Sequence, residues 1–352
     1  MTNIRTGIIG YGLSGRVFHA PFIDVVDGFE LSAISTRNPA NVKLIRQRYP
    51  NTRIAGGADE IINDPDIDLV IVTSPNTVHF KQGKEALLAG KHVVIEKPFT
   101  NTVEEADELI ALSKKQGKIL TAYHNRRFVS DTKTVKKILA SGLLGDVVDY
   151  ETHFDRYRNE PRPTGYWREE ALPGSGIFYD LGSHLIDQAL HFFGLPQAVT
   201  AHIKSQRPWA KADDYFDIKL HYPTLTATLK STMLAKAPGP TFQLHGKKGS
   251  FVKYGLDVQE ENLDKGMIPN TSDWGKEPEN IWGRLITEHN GIKINAVVES
   301  ENGDYREYFT NLRDAILGKT ELVIKPEEAR DVIRIIELAF RSNGEDRTIQ
   351  VN

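Results

Sequence analysis

The 352-residue chain contains no cysteine. Disulfides, thiolate nucleophiles and Cys-ligated zinc or iron–sulfur centres are therefore excluded. No apolar run approaches bilayer length, so no spanning helix is expected. Met1–Thr6 leads directly into Gly7-Ile8-Ile9, without the apolar stretch and small-residue cleavage site of a secretory signal. The expected setting is the cytoplasm. An excess of charge of one sign is missing too. The formal net charge is −3, which gives no electrostatic case for a nucleic-acid or membrane partner. A G-x-S-x-G elbow is absent, which weighs against a Ser-His-Asp hydrolase. What is present suits a globular protein: apolar residues at 39%, charged residues at 26%, and enough length for two domains.

The first third alternates strand and helix. Thr6–Ile9, Leu31–Ser35, Leu69–Val72, His92–Ile95 and Ile119–Tyr123 read as strands. Leu69-Val70-Ile71-Val72 is a short continuous apolar run, as a strand buried on both faces requires. Helices are expected over Ala40–Tyr49, Asp59–Asn63, Val78–Ala89 and Val103–Gln116, the last with Thr102 and Glu105 as a capping box. Such βαβ alternation predicts a parallel sheet covered by helices, an α/β dinucleotide-binding domain over residues 1–122. From about residue 145 strands follow one another: Val147–Tyr157, Ala198–Ser205, Asp217–Tyr222, Leu225–Leu234, Thr241–His245 and Phe251–Tyr254. The helix Leu181–Phe193 interrupts them, and helices near Tyr305–Leu317 and Glu327–Phe340 close the chain. This pattern predicts an α+β domain over residues 123–352, built on a large, open, mostly antiparallel sheet. The polar stretch 256–290 reads as long loops.

Gly10-Tyr11-Gly12-Leu13-Ser14-Gly15 matches G-x-G-x-x-G. The first glycine permits the tight turn, the second lets backbone approach a pyrophosphate, and the third lets helix pack on strand. A preceding strand and a position near the N-terminus supply the context this motif needs. The alternative is a glycine-rich turn without a ligand. About 20 residues on, where an acid would bind the ribose of NAD, stands Ser35-Thr36-Arg37-Asn38. It has no acid and offers two hydroxyls and a guanidinium to a 2′-phosphate, favouring NADP over NAD. Arg37 as a solvated loop charge, with NAD bound, stays open. Thr73-Ser74-Pro75-Asn76 ends the apolar strand at Val72 and should flank the cofactor, with His79 just beyond it.

Glu96-Lys97-Pro98 ends the strand His92–Ile95. Ligands of open parallel sheets sit outside the carboxyl ends of the strands, so Lys97 is placed for chemistry, while Glu96 is either a structural residue or one at the cofactor's edge. A surface lysine paired with Glu96 is the plain alternative. In Asp180-Leu181-Gly182-Ser183-His184, helical i,i+4 spacing puts the carboxylate and imidazole on one face, where the carboxylate orients the base. An Asp–His pair that only caps a helix is the alternative. Asp187 and His191 lie near the same face but lack a recognised ligand spacing with His184, and no metal is expected. His124-Asn125-Arg126-Arg127 follows a strand and can present polar groups to the nicotinamide amide or a hydroxylated substrate, or serve as a hinge. Tyr157-Arg158 and Tyr166-Trp167-Arg168 combine aromatics with arginines, as sugar or phosphate contacts and loop anchors both do.

The glycine loop, Glu96-Lys97-Pro98, Asn125-Arg126-Arg127, Trp167-Arg168 and Asp180-x-x-x-His184 together resemble the Gfo/Idh/MocA oxidoreductases along essentially the whole chain. Gly10–Gly15, Tyr123–Arg127, Tyr179–His184 and Tyr254-Gly255-Leu256-Asp257 are more narrowly similar to the NADP-dependent scyllo-inositol 2-dehydrogenases. The resemblance implies Lys97, Asp180 and His184 as the catalytic set. It implies a cofactor site of Gly10, Gly12, Leu13, Ser14, Gly15, Ser35, Thr36, Arg37, Thr73, Ser74, Pro75, Asn76, His79, Glu96, Lys97, Asn125, Trp167 and Arg168. The substrate would meet Lys97, His124, Arg126, Tyr157, Tyr166, Asp180 and His184. A homodimer or homotetramer formed by sheet-to-sheet packing is also implied. The family's glycine-rich stretch before the aspartate stands here as Gly174-Ser175-Gly176, a departure that bears on the local loop shape.

The expected reaction moves a hydride between NADP and a secondary alcohol of a cyclic polyol or sugar, with scyllo-inositol or an inosose as the pattern. His184 would take the hydroxyl proton, Asp180 would orient it, and Lys97 would donate a hydrogen bond to the same oxygen. Two other readings compete. One is a glycoside hydrolase that uses a retained NAD in a redox elimination cycle. The other is a non-enzymatic nucleotide sensor, which would need none of the three catalytic residues.

Overall fold

In the computed structural model, which describes residues 3–162 and 166–351, the chain forms two compact units. One comprises Met1–Asn125, Gln259–Trp274 and Asp304–Arg330; the other comprises Arg126–Val258, Gly275–Gly303 and Asp331–Asn352. The chain thus returns twice to the first unit after residue 125.

The first unit holds six parallel strands: β1 (Ile4–Ile9), β2 (Phe29–Ser35), β3 (Arg53–Ala55), β4 (Leu69–Val72), β5 (His92–Ile95) and β6 (Leu120–Ala122). Their order is β3-β2-β1-β4-β5-β6, that of a dinucleotide-binding domain. All four side chains of β4 are fully buried, which accounts for the unbroken apolar run Leu69–Val72. The helix Val103–Gln116 begins where Thr102 Oγ1 accepts the Glu105 N–H at 3.2 Å. It ends at Gly117, whose φ of 62° is the left-handed cap that glycine adopts without strain. The Glu105 carboxylate reaches back one residue further than in a capping box, to the Asn101 N–H.

Aromatic packing draws the late helix Arg306–Ile316 into this unit. Phe309 stacks on Phe22 at 5.4 Å, and Tyr308 meets Tyr123 edge-on at 4.8 Å. Thr121 Oγ1 donates to the Ile324 carbonyl at 2.8 Å. Thr121 and Ile324 are 203 residues apart in sequence, and partners so distant carry no local signal.

The second unit is a nine-stranded sheet. Its strands are β7 (Val147–His153), β8 (Ala198–Lys204), β9 (Tyr215–His221), β10 (Thr226–Thr232), β11 (Phe242–Gly246), β12 (Gly249–Lys253), β13 (Gly283–His289), β14 (Ile292–Val298) and β15 (Ile349–Gln350). The order is β14-β13-β12-β11-β7-β10-β9-β8-β15. Neighbours are antiparallel except β7 and β10. On β9, Phe216, Ile218 and Leu220 are fully buried. Asp217 and Lys219 point to the other face, as the two-residue period of a strand requires. Phe216 meets Phe178 at 5.2 Å, and Phe178 meets Phe340 of the helix Pro326–Glu345 at 5.3 Å.

Two expectations need correction here. The stretch 256–290, expected as loops, contains the helix Gln259–Asp264, strand β13 and the turn into β14. β13 alternates in burial, but its buried positions are Gly283, Leu285 and Thr287 while Ile286 and Ile292 are more than half exposed, so the residue types do not show the alternation. The helix Ser130–Ala140, which the sequence did not suggest, buries Ser130, Asp131, Thr132 and Thr134 as well as apolar residues. That mixture defeats a search for an apolar stripe.

Candidate active site

At the carboxyl ends of β1 and β4, where the strand order reverses, the glycine loop meets Thr73. Gly10 has φ of 99°, and a Cβ on Gly15 would lie 2.4 Å from the Gly10 carbonyl oxygen. Any side chain at either position would break this packing. Gly12 is different, because a Cβ there would meet nothing within 4 Å. The space over Gly12 is open for a pyrophosphate to approach the backbone. Ser14–His19 continues as a π-helical turn, which leads into the helix Ala20–Val25. Wide turns of this kind are frequent at functional positions.

The residues expected at a 2′-phosphate divide. Ser35 is buried and its Oγ accepts the Gly10 N–H at 3.1 Å, so it braces the loop. The Thr36 hydroxyl accepts the Asn38 N–H at 3.3 Å. Arg37 is exposed, and its Nε donates to the Gly56 carbonyl at 2.8 Å. Among the described residues no carboxylate pairs with it. These features fit a nicotinamide dinucleotide, and a phosphate on its ribose would find a cation at Arg37.

Glu96 is buried at the end of β5, with Oε1 2.8 Å from His19 Nε2. Its Oε2 accepts the Lys97 N–H at 3.1 Å. Burial pushes its pKa up, but the hydrogen bond and charge of His19 outweigh this and hold it below the usual glutamate value. Glu96 therefore fixes the backbone that presents Lys97. Lys97 is partly exposed and joined to Pro98 by a cis peptide bond. His79 is buried between the carbonyls of Pro98 and Ser74, each 2.9 Å from a ring nitrogen, and burial lowers its pKa. It ties the Thr73–Asn76 turn to the Lys97 turn from behind. Ser74 Oγ donates to Gln82 Oε1 at 2.6 Å, Asn76 is buried, and Pro75 precedes the short turn Asn76–Val78. His124 and Asn125, both buried, follow β6 in the same unit.

In the second unit Asp180 sits on the π-helical turn Phe178–Gly182, and His184 opens the helix Ser183–Phe193. The sequence expected one continuous helix here, and the wide turn replaces its first turn. Arg168 Nε lies 3.3 Å from Asp180 Oδ1, and Arg168 Nη1 donates to Tyr166 Oη at 3.1 Å. The Trp167 side chain lies outside the described residues. His184 is 7% exposed, with the Phe154 ring 6.3 Å away. The guanidinium of Arg126 lies 4.2 Å over that same ring and that of Arg156 5.0 Å. Phe154 thus gathers the proposed base and two cations around one aromatic surface, a role hidden in sequence by its ordinary strand position. Tyr157 is half-exposed, with Lys236 over its ring.

Asp187 is taken up by Arg127, whose Nη2 donates to Oδ1 at 2.6 Å. The tract ending at Asp257 also has a structural role: Asp257 Oδ2 accepts the Ser130 N–H at 2.8 Å and so caps the helix Ser130–Ala140. Beside it Lys253 and Glu277 form a fully buried ion pair at 2.8 Å.

A family description, "Oxidoreductase family, NAD-binding Rossmann fold", matches residues 4–124. A second, "Oxidoreductase family, C-terminal alpha/beta domain", matches residues 136–351. The chain belongs to the Gfo/Idh/MocA oxidoreductases. The scyllo-inositol 2-dehydrogenase (NADP(+)) IolW of Bacillus subtilis is 42% identical over 348 residues, covering 99% of this chain and 96% of the relative. The D-glucoside 3-dehydrogenase of Escherichia coli is 30% identical over 202 residues, covering 56% of this chain and 57% of the relative. The solved structure of yvaA from Bacillus subtilis superposes with a TM-score of 0.94 at 40% identity, covering 99% of this chain and 100% of that one. As a member of this family the chain is a nicotinamide-dinucleotide oxidoreductase of small molecules. Among the described residues no helix is long and apolar enough to cross a membrane.

Proposed function

We propose that the chain is an NADP-dependent dehydrogenase that interconverts a secondary alcohol of a cyclic polyol or sugar and the corresponding ketone, with scyllo-inositol as the leading candidate. The observation that carries this reading is the 42% identity to scyllo-inositol 2-dehydrogenase (NADP(+)) across 99% of the chain. The partial similarity to a D-glucoside 3-dehydrogenase supports the same substrate class. Exposed Arg37, in place of an acid after β2, supports the choice of NADP.

The nicotinamide supplies hydride transfer when bound. Gly10, Gly12, Leu13, Ser14 and Gly15 would hold the pyrophosphate, with Ser35, Thr36 and Arg37 toward the adenosine ribose. Thr73–Asn76, His79, Glu96, Lys97 and Asn125 would form the nicotinamide side, and Trp167 and Arg168 are further candidates for cofactor contact. His184 takes the proton from the substrate hydroxyl as general base, and its buried setting keeps water from competing. Asp180 orients the imidazole and stabilises its charged form. Arg168 holds the Asp180 carboxylate in place. Lys97 donates a hydrogen bond to the reacting oxygen and stabilises the developing negative charge. His124, Arg126, Tyr157 and Tyr166 would meet the remaining hydroxyls. A cytoplasmic location and a homodimer or homotetramer belong to the same proposal.

The test is a panel of inositols, sugars and glycosides assayed with NADP and with NAD by absorbance at 340 nm. Reduction of NADP with an inositol at a kcat/KM above that for NAD is the expected result. Turnover of a glycoside with no net change in nicotinamide would point instead to redox elimination.

A further inference from the structure

The turn that carries Asp180 has no side-chain cap within its own segment. The first N–H groups of a helical segment need acceptors, and here residue 213, in the loop between β8 and β9, supplies two. The Asp213 main-chain carbonyl accepts the Ile177 N–H at 3.1 Å. Its side-chain Oδ1 accepts the Phe178 N–H at 2.7 Å. The approach depends on Gly176, whose φ is 88°: a Cβ there would lie 1.9 Å from Asp213 Oδ2 and 2.5 Å from Cγ. The glycine at the end of Gly174-Ser175-Gly176 thus has a physical cause, since only glycine leaves room for this carboxyl.

The same loop grips the segment before Gly176. Lys211 Nζ pairs with Glu170 Oε2 at 2.7 Å, and Arg207 Nη1 lies 3.5 Å from Glu169 Oε1. On the far side of the turn Phe178 is fully buried between Phe216 and Phe340. A Cβ on Gly182 would strike the Phe178 ring at 2.5 Å. The turn is therefore held at its start by Asp213 and along its inner face by Phe178, which leaves Asp180, at 26% side-chain exposure, on the open side. Burial holds the Asp213 carboxyl up at about 7, against the lowering effect of its hydrogen bond from Phe178.

We infer that Asp213 is a positioning residue: with Gly176 it fixes the turn that presents Asp180 and, through the helix that follows, His184. This rests on the dehydrogenase reading above. It assigns the β8–β9 loop a part in the reaction although Asp213 itself touches neither substrate nor cofactor.

The experiment compares D213A, D213N and wild type in full-length protein. Two readouts are taken: steady-state kinetics with the best polyol, and hydrogen–deuterium exchange of peptides covering 176–184. In D213A, kcat should fall about tenfold to a hundredfold, as expected when a reacting group is displaced by a fraction of an ångström to one ångström. The KM for NADP should stay within about twofold, because the glycine loop is untouched. Exchange at Ile177 and Phe178 should accelerate. D213N keeps an oxygen for the Phe178 N–H and should recover most of kcat and protection. If D213A does not fold, D213E takes its place, because the longer side chain cannot set its oxygen where Gly176 admits Oδ1 and Oδ2. Faster exchange with unchanged kcat overturns the inference and leaves the dehydrogenase reading intact, as does a D213N that is no better than D213A. A wild-type protein inert toward the whole panel refutes the dehydrogenase reading, and the exchange data then decide whether Asp213 holds the turn.

Discussion

Arg127 and Asp187 form a buried two-pronged ion pair. Arg127 Nε reaches Asp187 Oδ2 at 3.0 Å and Nη2 reaches Oδ1 at 2.6 Å, with the side chains 3% and 1% exposed. Asp187 lies on the helix that His184 opens, and the next residue, Gln188, donates to Thr132 Oγ1 at 2.7 Å. The helix bearing the proposed base is thereby fixed to the segment 127–132. A charge left alone in such a place cannot be resolvated, so R127A or D187A should each destabilise the protein by about 3–5 kcal/mol. The pair R127M/D187L, which removes both charges and keeps volume, should be markedly less harmful than either single change. Denaturant melts of the three variants check this, and a double variant as unstable as the sum of the singles would contradict it.

Arg37 decides the cofactor prediction. Its guanidinium is exposed, with its Nε on the Gly56 carbonyl and no carboxylate partner among the described residues. A 2′-phosphate would gain a charge-assisted contact there that NAD cannot make. R37A should raise the KM for NADP by about tenfold, equivalent to about 1.4 kcal/mol, and change that for NAD by less than about twofold. Equal effects on both cofactors would show that Arg37 is only a loop charge.

The alternating elements of the first unit were legible because local chemistry decides them. Leu69–Val72 and His92–Ile95 coincide with β4 and β5, and Val103–Gln116 with its helix, since apolar runs and caps lie within a few residues of what they specify. The glycine loop could be read for the same reason: Gly10 and Gly15 meet strict local steric demands. What could not be read depends on distant partners. Phe309 stacks on Phe22, and Asp257 caps a helix that starts at Ser130. Asp213 reaches the Phe178 N–H from 35 residues away. The role of Ser35 shifted once its partner was known, because it braces Gly10, and for Glu96 the contact with His19 supports the structural one of its two expected roles.

Asp131 makes a pH prediction. It is 1% exposed, and burial pushes its carboxyl up to about 6. The cations Lys253 and Arg126 pull it down, and the acids Asp257 and Glu277 push it up. With a folded value above the unfolded one, the native state binds the extra proton between pH ~4 and ~6, so stability falls as pH rises through that window and levels off above it. The drop attributable to this group is roughly 3 kcal/mol, and D131N should remove it. Urea midpoints measured from pH 4 to 8 for wild type and D131N check the sign. A D131N profile parallel to wild type would show that Asp131 is ionised throughout.

Lys97 and His184 carry the sharpest kinetic expectation. Lys97 follows a strand whose end is set by the buried Glu96–His19 contact, so its removal should leave the fold intact. His184 is 7% exposed and flanked by Phe154, so H184N, which keeps much of the volume, is a better probe than alanine. K97A and H184N should each lower kcat by about 10²–10⁴-fold, the range for losing an oxyanion donor or a general base. NADPH affinity, measured by fluorescence titration, should change little in H184N and much less than kcat in K97A, where Lys97 would also face the nicotinamide. The two losses should also differ in form: H184N should remove the ionisation that governs the acid limb of kcat/KM, whereas K97A should keep that limb while losing rate. Because both groups would act on one oxygen, the double variant should lose far less than the product of the single effects. Full multiplicativity would mean that the two residues serve separate steps.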